Sequence, residues 1–198
     1  MTHSTTQARP MQARSTRAHS NPNQHGFTLM ELMMVVAALA VLIGIAVPSF
    51  RSGIDAANAQ SVRSALLTTL QRAATRATIT GTRAVICPSA DGQTCHDDPS
   101  WNPGWIAFLD RDGDREHGAD ERIISRQEQL PDRTWLRSSV GRTRIVFQTS
   151  GSNAGSNVSF TLCDGRGPAR ATALVLSNRG YLHDAEPQAD RVVATCRN

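Results

Sequence analysis

The sequence predicts an α+β fold in which one long N-terminal helix precedes a domain of antiparallel strands. Three observations predict this class: a continuous apolar segment near the N-terminus, an amphipathic pattern after it, and short strand-like runs in the remainder of the 198 residues. Turn-forming Gly, Pro, Asp, Asn and Ser clusters separate the runs, as expected for antiparallel strands. The chain is therefore long enough for one domain with a sizeable core.

Residues 27–47 form the apolar segment. They carry a single charged residue, Glu31, and as a helix they would extend about 32 Å, enough to cross a bilayer core. Residues 1–26 contain three Arg and no acid, and their polar composition is typical of a disordered leader. The positive-inside rule keeps this leader in the cytoplasm, which predicts a single-pass membrane protein whose C-terminal part is exported.

Residues 48–81 show the spacing of an amphipathic helix. Apolar residues recur on one face of it, whereas three Arg lie off that face and Gly81 is a plausible stop. The apolar set is Val62, Leu66, Leu70, Ala73 and Ala77, and the three Arg are Arg63, Arg72 and Arg76.

Residues 82–198 are predicted to form the exported β-sheet domain. The strand-like runs within it are residues 83–87, 105–109, 122–125, 144–148, 158–163 and 173–177. Whether residues 181–198 form an ordered strand or a tail is left open by the sequence.

The four cysteines, Cys87, Cys95, Cys163 and Cys196, are even in number, and disulfides are expected in an exported domain. Four cysteines allow three pairings, and we favour Cys87–Cys95 with Cys163–Cys196 because each pair is nearest in sequence. A zinc site is the alternative, but the chain has no C-x-x-C motif, and we expect no metal.

The position of Glu31 needs an explanation, because a lone carboxylate at membrane depth costs at least ~2–3 kcal/mol. Gly26 followed by Phe27-Thr28-Leu29-x-Glu31 and a long apolar helix resembles the class III signal of type IV prepilins and of type II secretion pseudopilins. The resemblance implies that a prepilin peptidase cuts after Gly26 and that Phe27 is then N-methylated. A start at Met11 would shorten the leader to 16 residues.

The same resemblance implies a role for Glu31 in filament assembly, together with Thr28. Cleavage creates an α-amine with an ordinary pKa of about 7.7–8.0, and in that family a neighbouring subunit's Glu pairs with this amine. An unpaired Glu31 among packed helices would be costly, so the pair would set the register of subunits. The alternative is an incidental charge that reaches the membrane interface.

The β region resembles the GspH/FimT family of minor pseudopilins and minor pilins, over roughly residues 25–182. The resemblance implies a pilin-like fold, a periplasmic β domain anchored in the bacterial inner membrane, and a place at or near a filament tip among other minor and major subunits. The motifs that carry it are, in order, CPSADGQTC, WNPGWIAFLDRDGD, ERIISR, RIVFQTSGSNAG, SFTLCDGRGPAR and ALVLSNRG.

The polar residues suggest two kinds of chemistry, metal binding and nucleophilic catalysis. Asp110-x-Asp112-x-Asp114 with Glu121 has calcium-loop spacing, but Arg115 stands where such a loop needs Gly, so we favour an acidic turn between strands. No activated nucleophile with a base and an orienting group is evident. The sequence therefore predicts no enzyme and no cofactor.

DNA binding is a second possibility within the same family. Some FimT-like pilins take up DNA, which implies a G-R-x-R motif near the C-terminus. Gly141-Arg142-Thr143-Arg144 matches the letters but precedes a strand-like run, whereas the later position reads Asn178-Arg179-Gly180-Tyr181. On a strand Arg142 and Arg144 would point the same way, and with Arg179 and the basic C-terminal part they would suit weak phosphate binding. A solvated strand edge is the alternative that we favour.

The sequence as a whole predicts a minor pseudopilin of a type II secretion system, which acts in tip assembly and protein secretion. The alternative is a minor type IV pilin that acts in pilus biogenesis or binds DNA for natural transformation.

Overall fold

The computed structural model describes residues 26–153 and 157–196. The chain divides into two compact units, residues 1–43 and 44–198. In the first unit the described residues are helical from Leu29 onward and all of them are exposed. The predicted leader lies outside the described residues except for Gly26.

Helix α1 extends over Leu29–Thr80 and includes Pro48. Proline has no N–H, so the Gly44 carbonyl lacks its usual helical donor. The five apolar residues of the predicted stripe are all buried, and Arg72 and Arg76 are exposed, which confirms the amphipathic pattern. The helix ends where predicted, because Gly81 has a φ of 64°, a left-handed conformation that glycine adopts without strain.

The described part of the second unit contains eight strands in two antiparallel four-stranded sheets. Sheet 1 has the order β3-β2-β1-β5 and sheet 2 the order β4-β6-β7-β8. The strands are β1 Arg83–Pro88, β2 Trp105–Asp110, β3 Ile123–Gln127, β4 Thr134–Ser138, β5 Ile145–Phe147, β6 Val158–Asp164, β7 Thr172–Leu176 and β8 Leu182–Ala185. A short 3₁₀ turn covers Pro168–Arg170, and helix α2 covers Ala189–Thr195.

Antiparallel pairing is as predicted, and each of the six strand-like runs overlaps a strand. Strand β4 was not predicted. Its buried face carries Thr134 and Ser138 beside Leu136, so polar and apolar residues do not alternate along it as they do in a typical half-buried strand. The sequence did not predict that the strands divide into two sheets. Residues 182–195, left open by the sequence, form β8 and α2.

One core joins α1 to both sheets. The buried stripe of α1 packs in a single cluster with inward residues of sheet 1, such as Ile86 and Phe147, and of sheet 2, such as Phe160 and Leu174. Fully burying one large apolar side chain contributes about 1.5–3 kcal/mol. Both sheets therefore bury their inward apolar residues against this stripe of α1.

Two tryptophans connect the elements around this core. The Trp105 indole N–H on β2 donates to the Thr69 hydroxyl of α1 at 3.1 Å. Trp101 lies edge-on to Phe160 of β6, with ring centroids 5.1 Å apart, and its backbone N–H donates to the Leu136 carbonyl of β4. The segment that leads into β2 is thereby fastened to sheet 2.

A smaller apolar cluster lies on the other face of sheet 1. It contains Val85, Cys87, Ile106, Phe108 and Val146. Cys95 packs against it, and the His117 ring lies edge-on to Phe108 at 5.3 Å. The loops before β2 and β3 therefore cover this face.

Both disulfides join nearest neighbours in sequence. Cys87 is bonded to Cys95, which closes a loop after β1, and Cys163 on β6 is bonded to Cys196, which follows α2. The Asp91 carboxylate accepts the N–H groups of Thr94 and Gln93 inside the first loop, and these hydrogen bonds, with that of the Thr94 hydroxyl, lower the pKa of Asp91.

We expect the second disulfide to contribute more to stability than the first. Their cysteines are 33 and 8 residues apart, so chain entropy predicts losses of about 4 kcal/mol for Cys196→Ser and about 2.5 kcal/mol for Cys95→Ser. Urea unfolding of the full chain in detergent micelles, followed by tryptophan fluorescence, measures both. Equal unfolding free energies for wild type and Cys196→Ser would contradict this expectation.

Candidate functional site

The start of α1 has the geometry of a capped helix. Thr28 immediately precedes the first helical residue, and its hydroxyl oxygen accepts the backbone N–H of Glu31 at 3.2 Å. Thr28 and Glu31 thus stand at the two ends of a T-x-x-E capping spacing, with the carboxylate in the first turn, where the helix dipole favours it. This local role is not among the sequence predictions, although the T-x-x-E spacing alone signals it.

The Glu31 carboxylate is nevertheless available to a partner. It is exposed, and within residues 26–153 and 157–196 no basic side chain forms an ion pair with it. Phe27, just before the cap, is 86 % exposed. The backbone N–H of Glu31 is therefore hydrogen-bonded, whereas its carboxylate forms no ion pair within the described residues.

The helix that follows exposes an unusual amount of apolar surface. Leu29, Leu32, Val36 and Leu42 are all more than half exposed. By length and composition, α1 is the one helix among the described residues that would be able to cross a membrane. Apolar patches of this size on soluble monomers mark sites that another molecule or a membrane covers.

Arg144, a candidate phosphate contact, is used inside the protein. Its side chain is 12 % exposed and lies 3.1 Å from the Asp97 carboxylate and 2.6 Å from that of Glu116. It also donates to the backbone carbonyls of His96 and Arg115. Arg144 therefore ties together the loops on either side of β2, and its charge is already matched by two acids.

The other candidate arginines are dispersed. Arg142 and Arg144 precede β5, which begins at Ile145, so the expected alternation along a strand does not apply to them. Arg142 and Arg179 are exposed, but Arg142 leads into sheet 1 whereas Arg179 follows β7 of sheet 2. Arg166 is paired with Asp164 at 2.7 Å.

The acidic turn between β2 and β3 is held by its own backbone. Asp110, Asp112 and Asp114 each accept a backbone N–H two or three residues later, and Glu121 accepts those of Arg111 and Gly118. One carboxylate oxygen from each Asp lies within 4.8 Å of the others, and the guanidinium of Arg83 lies 3.8 Å from Asp110. These contacts are those of the acidic hairpin turn that the sequence favours.

A second group of ion pairs attaches α1 to the β domain. The buried Asp55 of α1 receives two hydrogen bonds from Arg133, which also donates to the Gly165 carbonyl at 2.8 Å. A Cβ at Gly165 would overlap both side chains, so glycine permits this close approach. Beside it, burial raises the pKa of Asp164, but hydrogen bonds from the Arg166 side chain and backbone outweigh it and lower that pKa.

Comparison with known proteins identifies the family. The family model described as type II transport protein GspH matches residues 63–180, which is more than half of the chain. The chain belongs to the GspH family. In this GspH-family protein a second match, to the prokaryotic N-terminal methylation motif, covers residues 21–47. No curated protein sequence matches the chain.

Solved structures similar to this GspH-family chain include the type IV minor pilin FimU of Pseudomonas aeruginosa. Two crystal forms give TM-scores of 0.50 and 0.52 at 16 % and 14 % identity, covering 65 % and 70 % of this chain and 97 % and 96 % of FimU. The minor pseudopilin EpsH of the Vibrio cholerae type 2 secretion system has a TM-score of 0.45 at 13 % identity, covering 67 % of this chain and 97 % of EpsH. The likeness to FimU shows that the fold is pilin-like.

The same substitution should lower the free energy of unfolding much more at Arg144 than at Arg142. Arg144→Gln removes hydrogen bonds from a nearly buried guanidinium, and we expect a loss of about 1–3 kcal/mol in unfolding free energy. The exposed Arg142→Gln is the matched control and should change it by less than about 0.5 kcal/mol. Urea unfolding measures both, and similar stabilities for the two variants would remove the structural role of Arg144.

Proposed function

We propose that this GspH-family protein is a minor pseudopilin of a type II secretion system, which acts in assembly of the filament tip and in protein secretion. The observation that carries the proposal is the occurrence in one chain of a GspH domain at residues 63–180 and a methylation motif at residues 21–47. The proposed role is structural, and the partners would be other minor and major subunits of the filament.

Processing of the N-terminus is the first step of the proposed role. A prepilin peptidase would hydrolyse the peptide bond after Gly26 and so release the leader, and N-methylation of Phe27 would follow. Thr28 and Glu31 support this step, because their capping contact starts the helix two residues beyond Phe27 and leaves the cleavage site outside it. An extended, accessible segment is what a peptidase needs.

Assembly would use the unpaired carboxylate of Glu31. The new α-amine of Phe27 on a neighbouring subunit would be its counter-ion, and both charges would leave water as the apolar helices pack. Leaving either charge unpaired in such surroundings costs several kcal/mol. The pair would therefore favour one register of subunits over others.

The protein would be anchored in the bacterial inner membrane by residues 27–47 before assembly. Three Arg within residues 1–26 support this orientation, because the positive-inside rule favours a cytoplasmic leader and hence a periplasmic β domain. The two disulfides suit that compartment, because it is oxidising.

A minor type IV pilin is the alternative, and DNA binding would be its additional activity. The exposed Arg142 and Arg179 are the side chains that favour it. Arg144 is engaged by Asp97 and Glu116, so only part of the proposed basic set is free for phosphate.

Removing the charge of Glu31 should impair assembly without unfolding the β domain. We expect Glu31→Gln to reduce secretion and incorporation of this subunit by at least about tenfold, because its neighbour's amine loses its counter-ion. Export of a reporter substrate and immunoblotting of sheared filaments measure the two effects. Wild-type levels of both would refute the assembly role.

Two further variants distinguish processing of the N-terminus from assembly into the filament. Arg51→Gln removes an exposed charge from the same helix and is expected to leave secretion unchanged. Gly26→Ala should stop processing, so intact-mass measurement would find the leader retained and Phe27 unmethylated. A processed Gly26→Ala chain would contradict the assigned cleavage site.

A further inference from the structure

A groove of about 580 Å³ lies between α1 and strand β3. Its lining residues are Thr68, Gln71, Arg72, Thr75, Arg76 and Ile124, and none of them is acidic. Five belong to one face of α1 and are exposed, and Ile124, on β3, is partly buried. β3 is an edge strand of sheet 1, so no further strand of the described chain covers this side.

The two arginines of the groove are uncompensated. Arg72 and Arg76 are separated by one helical turn, where like charges repel and destabilise a helix. Helix α1 has no acid after Asp55, and within residues 26–153 and 157–196 neither arginine forms an ion pair. By contrast Arg63, on the same helix, is paired with Asp184 at 2.7 Å.

The two walls of the groove differ in character. The α1 wall presents two positive charges, those of Arg72 and Arg76, together with the hydroxyl and amide groups of neighbouring residues. The β3 wall presents the apolar side chain of Ile124. An extended peptide directs alternate side chains to opposite sides. One that alternates acidic and apolar residues would therefore meet both walls with suitable groups.

The spacing supports the same occupant. Arg72 and Arg76 are about 6 Å apart along the helix axis, and residues i and i+2 of an extended chain are about 6.6 Å apart. Two successive carboxylates of an acidic–apolar segment would thus each reach one guanidinium.

We propose that this groove is a docking site for an extended acidic–apolar segment of another protein. This docking site does not depend on the secretion role, because only the charges and shape of α1 and the β domain form it. If the proposed function holds, a neighbouring filament subunit is the natural source of the segment.

A labelled peptide that alternates glutamate and valine tests the proposal by fluorescence anisotropy with the full chain in detergent micelles. We expect it to bind more weakly as salt is added, and Arg72→Gln/Arg76→Gln to lower its affinity by about tenfold. Arg51→Gln/Arg170→Gln, which removes two exposed arginines outside the groove, is the matched control and should not change it. A peptide with glutamine in place of glutamate should not bind.

Charge reversal and hydrogen exchange locate the site. Arg72→Glu/Arg76→Glu should lose the glutamate peptide and bind one that alternates lysine and valine. The bound peptide should slow amide exchange in residues 68–76 and 123–127. Peptide binding that ignores these substitutions, or protection confined to other segments, would overturn the proposal.

The remaining outcomes are also decisive. Absence of peptide binding at high micromolar concentration would overturn the docking proposal. It would not affect the proposed role in secretion, which the Glu31 and Gly26 variants test separately. Binding of a double-stranded oligonucleotide that depends on Arg72 and Arg76, without peptide binding, would overturn it in favour of a nucleic-acid site.

Discussion

Burial of one stripe of α1 is the interaction on which the rest of the β domain depends. The stripe from Ala59 to Ala77 contacts inward residues of both sheets, so the main core of the β domain is incomplete without the helix. Three of its residues are alanines, and their small side chains let strands approach the helix closely. Leu66 and Leu70 supply the volume between them.

The same helix has different surroundings along its length. From residue 26 to residue 54 every described residue is exposed, and Asp55 is the first buried residue of α1. A uniformly apolar helix surface matches lipid or packed helices, whereas a one-sided stripe matches a sheet. One continuous helix can therefore serve a filament and a folded domain, and Asp55, held by Arg133, marks where the folded domain begins to enclose it.

The arginines illustrate why charge in a sequence is a poor guide to a surface. Arg144 and Arg142 are two residues apart in the same motif, yet the side chain of Arg144 is largely buried and links two loops, whereas that of Arg142 is exposed to solvent. Their difference comes from Asp97 and Glu116, which are distant in sequence and brought together by β1, β2 and β5. The exposed, unpaired Arg72 and Arg76 were visible in the sequence only as the polar side of a helix.

The sequence by itself determined the elements that depend on local pattern. These include the apolar segment, the amphipathic helix and its end at Gly81, six of the strands, and the resemblance of Gly26 to Glu31 to a processed signal. Each is a matter of periodicity, backbone freedom or contiguous motif, which neighbouring residues encode. The T-x-x-E cap at the start of α1 is encoded in the same local way.

Tertiary structure alone decided which strands share a sheet, that Arg144 is internal, and that a basic groove remains open beside β3. These features depend on contacts between residues far apart in the chain, and hydrophobic alternation does not specify a strand's partner. Strand β4 shows the limit most clearly, since its inward Thr134 and Ser138 are buried by their sheet neighbours and by the segment before β2. The buried Ser138 hydroxyl donates to the Pro99 carbonyl, a partner distant in sequence that only the assembled fold supplies.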